Sequence, residues 1–507
     1  MEIFSLNCRA KSLVARKASY TVTIALLLMI FSGITGSVKA QVSQTLYFMD
    51  RIPQSSFLNP AFGHHHNFHL GLPMISSFNV NTRTNFVNFN DLFFKHPQQD
   101  SLISFLHPDA DINDFTSKLR DRNKLASDFY ANLLSFGVRA DRSFFSFSIS
   151  ERAGMRGMLP KDLILLGLHG NSQFAGKSAD FSSIGIDLNY FREYAAGYSY
   201  QVDDKLNVGV RAKLLFGKAN ISFSDSDITL YTDPESYNMR LRSNFTVNMS
   251  MPVTIVRNED GEIEEFEPHF GNGAYSPANF IFNSKNAGFA MDLGATYRLM
   301  EEVTLFASVT DLGFIGWKED VYNITMDEDF EFEGIDLSAA FDQADDSKPA
   351  DNFLDSLQGR FNLDDTRNSY NRGLPARVYL GGSYKLNQML SFGLLSRSEI
   401  YSGGFEQAVT LSANSNIGRW LSASMSYSVM NNSYNNLGLG LALRGGGFQL
   451  YVVSDNLSTA FMPHRTKNAH VWFGLNLVFG HRKDRQIGAG ELREFGVPLN
   501  SRGVDKR

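Results

Sequence analysis

Cysteine is nearly missing from this sequence: 507 residues contain one, Cys8. It stands before the first apolar run, so it is not a lipid-bearing cysteine at a cleavage site. From residue 41 onward there is none, which excludes a disulfide framework and a thiolate metal site. Long apolar runs are missing too. After residue 31 each apolar stretch is broken by polar residues within about ten positions, too soon for a membrane-spanning helix of about 20 residues. Basic charge is scarce: 47 Lys and Arg stand against 53 Asp and Glu, a formal net charge of −6. No basic stripe is available to neutralise phosphates, which argues against a nucleic-acid partner.

What is present begins with a leader. Arg9, Lys11, Arg16 and Lys17 form a basic start, Tyr20 to Phe31 is apolar, and Val38-Lys39-Ala40 supplies a cleavage site before Gln41. This is the pattern of a secretion signal. The alternative, an N-terminal anchor, wants a longer apolar run. Removing a leader with five basic residues and one acidic one takes the net charge from −6 to −10. The remainder is long enough for one large barrel or for two to three soluble domains.

Three separated stretches then follow one template. They are Gly197-Tyr-Ser-Tyr-Gln-Val-Asp-Asp-Lys-Leu-Asn-Val208, Gly294-Ala-Thr-Tyr-Arg-Leu-Met-Glu-Glu-Val-Thr-Leu305 and Gly381-Gly-Ser-Tyr-Lys-Leu-Asn-Gln-Met-Leu-Ser-Phe392. Each reads as an alternating strand, a tight polar turn and a second alternating strand. Such hairpins leave open edges, and only closure into a ring satisfies every edge in lipid. The 43 phenylalanines suit lipid-facing positions. The fold class this predicts is all-β, a closed antiparallel transmembrane barrel of 14 strands.

Along the chain, the first strand is expected over Asn67–Val80. An excursion follows over 91–130, with helical spacing in 111–128. Leu133–Ala140 and Ser143–Ser150 form a hairpin, in which Phe145, Phe147 and Ile149 alternate with serines. Residues 152–180 break the strand rhythm, with a short helix over Pro160–Leu168. Strands resume at Ile184–Val202 and Leu206–Phe223. A second excursion, 225–286, holds a small hairpin over Asp260-Gly261. Strands Ala287–Leu299 and Val303–Trp317 precede a third excursion, 319–367, with 15 acidic and 3 basic residues and helix expected within Ser338–Phe361. Seven strands between Ala376 and Phe479 complete the count. The short turns 203–205, 300–302 and 387–389 all fall at one end and the excursions at the other. Short turns are periplasmic in outer-membrane barrels. Both termini are then periplasmic, and the acidic excursion faces outward, since charge cannot lie against lipid. The domain reading is 1–40 leader, 41–62 plug, 63–480 barrel and 481–507 a flexible periplasmic tail. Tyr200, Tyr297 and Tyr384 are expected to form a periplasmic girdle in contact with outer-membrane lipid.

Further marks run over most of the chain: Tyr47-Phe48-Met49, Ser55-Ser-Phe-Leu-Asn59-Pro60-Ala61, Leu70-Gly71-Leu72-Pro73, Asn88-Phe-Asn90-Asp91, Leu159-Pro160 through Gly170-Asn171, and Glu193-Tyr194-Ala-Ala-Gly197-Tyr198. Together they resemble an uncharacterised family of Bacteroidota outer-membrane barrels. Asn59-Pro60-Ala61 also resembles an element of long-chain fatty-acid transporters and of the porin-like shuttle protein of type IX secretion, both 14-stranded barrels. The resemblance implies that Asn59, Pro60 and Ala61, with Phe57 and Phe62, belong to an N-terminal plug. A rigid turn before the first strand is the competing reading. Gly474, Leu477 and Phe479 in the last strand resemble the signal read by the barrel assembly machinery, although that signal normally ends the chain and here a tail follows.

Other candidates carry less. His64-His65-His66 and His69 offer metal ligands, but adjacent histidines on an extended chain point apart, and a polar turn explains them. His169-Gly170-Asn171-Ser172 has a hydrolase-like composition, yet no base and orienting group can be placed beside Ser172. The acidic excursion lacks the spacing of a calcium loop. No cofactor and no catalytic residue is assigned. The expected role is non-enzymatic: passive transport or binding of a hydrophobic or amphipathic small molecule. The alternative is an anchor or scaffold for secreted or surface proteins.

Overall fold

The computed structural model describes residues 44–480 apart from 63–64, 97–99, 108, 258–262, 270–279, 281, 333–363, 403 and 431–432. The leader, the tail, the helix expected within Ser338–Phe361 and the Asp260-Gly261 turn lie outside the described residues.

The chain forms one closed antiparallel barrel of 14 strands. Strand β1 has two segments, Phe68–Gly71 and Phe78–Thr84. It is followed by β2 (Arg122–Ala140), β3 (Ser143–Pro160), β4 (Gly185–Gln201), β5 (Leu206–Thr232), β6 (Asn286–Arg298) and β7 (Val303–Trp317). The second half comprises β8 (Ala376–Lys385), β9 (Leu390–Tyr401), β10 (Gly404–Ile417), β11 (Leu421–Met430), β12 (Ser433–Gly445), β13 (Phe448–Ser454) and β14 (Asn468–Phe479). Each strand pairs with the next. The ring closes where β14 meets both segments of β1, with Phe68 opposite Phe479 and Phe78 opposite Phe473. Closure leaves no edge to the hydrocarbon, the condition for strands to cross lipid.

Alternation explains which face goes where. On β3, Ser148 and Ser150 are buried inside while Phe145 is exposed outside. Leu214, Leu293, Leu312, Leu380 and Leu411 are likewise exposed on the outer surface. Ser308, Thr310, Ser424, Ser426 and Ser428 are buried toward the lumen. A two-residue period with apolar outside and polar inside is the arrangement lipid selects.

Several boundaries differ from the sequence reading. The first strand is interrupted at 72–77: Gly71 lies opposite Asn476, yet Phe78 lies opposite Phe473, so the intervening residues loop out of register. Pro73 cannot donate to a ladder, and Met74 takes a left-handed φ of 64°. The helix expected over 111–128 is confined to Ile112–Ser117, capped by the Asp111 carboxylate, which accepts from the Asn113 and Asp114 amides. From Arg122 the chain is already strand, because pairing with β3 begins at Arg122 opposite Pro160. Residues 152–160 continue β3 instead of breaking it. Their arginines and glycines look like a loop in sequence but pair along their whole length. The helix after Pro160 forms as expected, over Lys161–His169.

Strand β5 has 27 residues, whereas a tilted strand needs about 9–11 to cross the hydrocarbon. Its far half extends beyond the barrel and pairs with Met239–Ser250, which pairs in turn with Val321–Phe332. The sequence assigns 225–286 to an excursion with one small hairpin, yet strand continues through Thr232 and resumes over Met239–Ser250. Its hairpin arms do pair, as Val253–Arg257 with Ile263–Pro268. This sheet stands at the end opposite the short turns.

Candidate functional site in the lumen

Residues 44–62 lie inside the barrel. Helix α1 (Gln44–Tyr47) is fully buried, and Pro53–Phe57 forms a turn of 3-10 helix. Exposing Leu46, Tyr47, Met49, Ile52 and Leu58 would forfeit roughly 1.5–3 kcal/mol each. They pack instead on Phe306, Tyr379, Leu395, Tyr451, Val453 and Trp472 of the wall. Tyr47 stacks on Tyr379 with ring centroids 5.1 Å apart.

Polar contacts fix this packing. The first turn of α1 leaves orphan amides. Asp455, at the end of β13, accepts from the Gln44 amide at 3.0 Å, the Thr45 amide at 2.9 Å and the Thr45 hydroxyl at 2.6 Å. Gln54 and Asn476 exchange two hydrogen bonds of 2.7 and 2.9 Å. Arg51 reaches the Gly418 carbonyl in a short turn, and Gln449 donates to the Arg51 carbonyl.

Asn59-Pro60-Ala61 sits at the inner face of β5, β6 and β7. The Asn59 amide donates to the Tyr47 hydroxyl at 2.9 Å, and its carbonyl oxygen accepts from the Ala61 amide at 3.0 Å. That is an Asx turn, which Pro60 rigidifies. Ser308 donates to the Leu58 carbonyl at 2.7 Å. The approach is so close that a Cβ at Gly294 would lie 2.1 Å from the Asn59 oxygen. The opening glycine of the second template copy is therefore the space that Asn59 occupies. Phe62 meets Tyr47 edge-on at 5.2 Å, and the Phe57 ring lies 4.5 Å from the Arg211 guanidinium.

Beyond the segment, away from the short turns, is a belt of charge that the sequence reading did not identify. Along β5 the order from the turn is Gly209, against Pro60, then Arg211 and Lys213. Along β7 it is Ser308, then Asp311. Asp311 sits in a bulge, where Thr310 and Asp311 oppose Asp292 alone, with a φ of 63°. The bulge aims its carboxylate at three cations. Arg152 binds it in a fork at 2.6 and 2.8 Å, and Lys213 and Arg377 each approach to 2.7 Å. Glu193 takes Arg152 at 2.8 Å and Arg211 at 3.0 Å. Asp292 takes Lys213 at 2.6 Å. Glu399 gathers Arg156 at 2.9 Å, Arg377 at 3.4 Å and Arg397. Asp128 joins Arg83 at 2.7 Å. The signal was available: ionisable residues inside membrane strands face the interior and pair. Arg211 with Lys213, and Arg397 with Glu399, stand two apart on expected strands.

Between segment and belt is a chamber of about 100 Å³. Phe57 and Leu58 face it from the segment; Arg152, Arg156, Arg377, Tyr379 and Trp472 face it from the wall.

The remaining candidates lie elsewhere. Tyr200, Tyr297 and Tyr384 are exposed on the outer surface, each within five residues of a short turn. In the last strand, Leu477 pairs with Leu70 and Phe448, and Phe479 pairs with Phe68. A Cβ at Gly474 would lie 2.0 Å from the Ser76 carbonyl oxygen, so this glycine admits the interruption of β1. His66 and His69 hydrogen-bond to each other at 2.9 Å, while His65 meets Asp50 at 3.0 Å; His64 is outside the described residues. His169-Gly170 ends a helix, and Asn171 donates to the Tyr237 carbonyl. Among the described residues one group of metal-type ligands comes together, His96, His107 and Asp109, in a loop at the excursion end.

A family model described as a family of unknown function (DUF5723) matches residues 60–455, and the chain belongs to that family. No curated protein matches it significantly in sequence. Among solved structures it is similar to a Pseudomonas aeruginosa FadL homologue at 10% identity and TM-score 0.39, covering 88% of this chain and 100% of that one. It is also similar to the Ralstonia pickettii toluene transporter TbuX at 10% identity and TM-score 0.34, covering 83% and 92%. The Pseudomonas putida toluene transporter TodX gives 10% identity and TM-score 0.32, covering 87% and 94%.

Proposed function

We propose that this member of the DUF5723 family is an outer-membrane barrel for gated, passive passage of a small amphipathic or hydrophobic molecule, with residues 44–62 as its plug. The supporting observation is the placement of that segment. It fills the short-turn half of the lumen through apolar packing and mostly neutral hydrogen bonds, with the Asp455 carboxylate and the Arg51 guanidinium as charged exceptions, and it ends against a chamber that it helps to line. A solute path through the barrel needs this segment to shift. Most of its hydrogen bonds are of the kind that break and re-form, since a neutral hydrogen bond contributes only about 0.5–1.5 kcal/mol net; the grip of Asp455 on Gln44 and Thr45 is the stronger hold. Both termini are periplasmic in this reading. Tyr200, Tyr297 and Tyr384 sit at headgroup level on that side. Gly474, Leu477 and Phe479 present the strand read by the assembly machinery of a Bacteroidota outer membrane.

The test is deletion of residues 44–58. The shortened protein is expected to raise conductance in planar bilayers and to admit small hydrophobic dyes into cells. A deletion that folds normally and changes neither would refute the plug-and-passage reading, and an anchoring role for secreted or surface proteins would replace it.

A further inference from the structure

The chamber has a charge sign. Its lining includes five cations, Arg152, Arg156, Arg211, Lys213 and Arg377, against three carboxylates, Asp128, Glu193 and Asp311. The carboxylates behind it narrow the excess without removing it. Arg83 and Arg397 bring the belt's cations to seven, and Asp292, Glu399 and Glu406 bring its carboxylates to six. Charges shielded from water are retained when they are paired, because an unpaired one carries a desolvation penalty of several kcal/mol. The belt's carboxylates also leave two lining guanidinia incompletely satisfied: Nε of Arg156 and Nε of Arg377 are buried without a hydrogen-bond acceptor among the described residues. Arginine presents a planar fork that suits a carboxylate. The other side of the chamber is apolar, formed by Phe57 and Leu58 with the rings of Tyr379 and Trp472.

We propose that this chamber binds a small organic monoanion, a carboxylate, with its charged end on Arg156 and Arg377 and its apolar end on Phe57 and Trp472. A single negative charge balances the belt. The volume of about 100 Å³ sets the size. It is smaller than an engineered cavity of roughly 150 Å³ that takes benzene. The chamber as it stands therefore accepts a carboxylate carrying a few carbons, and one the size of benzoate enters with a shift of the Phe57 ring. This deepens the passage reading and rests on it for the route by which the anion arrives.

The full-length protein, purified in detergent at fixed salt, is titrated with benzoate, benzyl alcohol and benzylamine by calorimetry, and by fluorescence of Trp472 in a Trp317→Phe, Trp420→Phe background. Benzoate is expected to bind saturably at one site. The alcohol and the amine should bind at least tenfold more weakly. Arg377→Gln should weaken benzoate at least tenfold and leave the alcohol unchanged. If that variant fails to fold, Phe57→Ala leaves the ionic groups in place. It should keep the preference for anions while admitting 4-butylbenzoate. Equal binding of benzoate and benzyl alcohol would overturn the proposal, as would no benzoate binding in both the full-length protein and Phe57→Ala. Conductance of the 44–58 deletion is read separately, so loss of the anion site and loss of the passage reading give different results.

Discussion

Two regions of one lumen are held together by opposite chemistry. Around residues 44–62 the contacts are rings, aliphatic side chains and mostly neutral hydrogen bonds, with Asp455 the one carboxylate that grips the backbone. A few residues farther along β5 and β7 the wall is built from ion pairs such as Arg152–Asp311 and Lys213–Asp292. The neutral packing joins an inserted segment to the wall, whereas the ion pairs join wall strands to each other. Losing the first kind of contact releases a segment. Losing the second leaves a charge unpaired inside the barrel, a far larger penalty. The movable part and the rigid part are thus distinguished by how much a broken contact costs.

The largest expected effect breaks the belt. Asp311→Ala removes the carboxylate that Arg152, Lys213 and Arg377 share. Removing one partner of a buried pair costs about 3–5 kcal/mol. Equilibrium denaturation in micelles should show that loss for the whole barrel. A change below about 1 kcal/mol would mean that water screens the belt, and the contrast between the two regions would collapse.

The next effect falls on the segment. Asp455→Ala removes the acceptor for two amides and a hydroxyl at the start of α1. Hydrogen bonds to a charged group contribute about 1.5–3 kcal/mol each, but His470, 3.3 Å from the Asp455 carboxylate and hydrogen-bonded to Asn79, can relax, so a loss at the low end of that range is expected. It should be local. Protease should cut within 44–58 many times faster, while the denaturation midpoint of the barrel moves little. A midpoint shift equal to that of Asp311→Ala would show that segment and wall unfold as one unit.

Smaller again is Asn59→Ala. It removes the bond to Tyr47 and the Asx turn to Ala61, a loss of about 1–2 kcal/mol at roughly 1 kcal/mol per neutral bond. Gly294→Val is its complement from the wall. A side chain there collides with Asn59, so the two variants should raise segment cleavage in the same way.

The sequence made the wall legible and left the lumen largely hidden, for a physical reason. Strands in lipid alternate strictly, so the templates at Gly197, Gly294 and Gly381 show the hairpins and their short turns directly. Lumen contacts join residues hundreds of positions apart, as Gln54 with Asn476 and Thr45 with Asp455, and no local pattern encodes such a meeting. Asn59-Pro60-Ala61 was visible as a motif, but its fit against Gly294 was not. Part of the belt is hidden because Arg152 and Arg156, with the glycines beside them, read as a loop after Ser150 although they continue β3. A charged residue at an inward position is instead what the middle of a barrel strand tolerates.

The smallest effect is the coupling between the two regions. They meet where the Phe57 ring lies 4.5 Å from the Arg211 guanidinium. Phe57→Leu keeps an apolar side chain and removes the ring face, a loss of about 0.5–2 kcal/mol for a cation on an aromatic ring shielded from water. Neighbouring residues couple by about 0.5–3 kcal/mol, and independent sites add within about 0.3–0.5 kcal/mol. Two double-mutant cycles follow from this. Phe57→Leu combined with Arg211→Met should show coupling near 1 kcal/mol, because each change removes the same contact. Asn59→Ala combined with Asp311→Asn should be additive within error, since these residues share no hydrogen-bond partner among the described residues. If the second cycle couples as strongly as the first, the segment senses the belt through the β7 backbone between Ser308 and Asp311. Its release would then be set by the state of the ion pairs and not by its own packing.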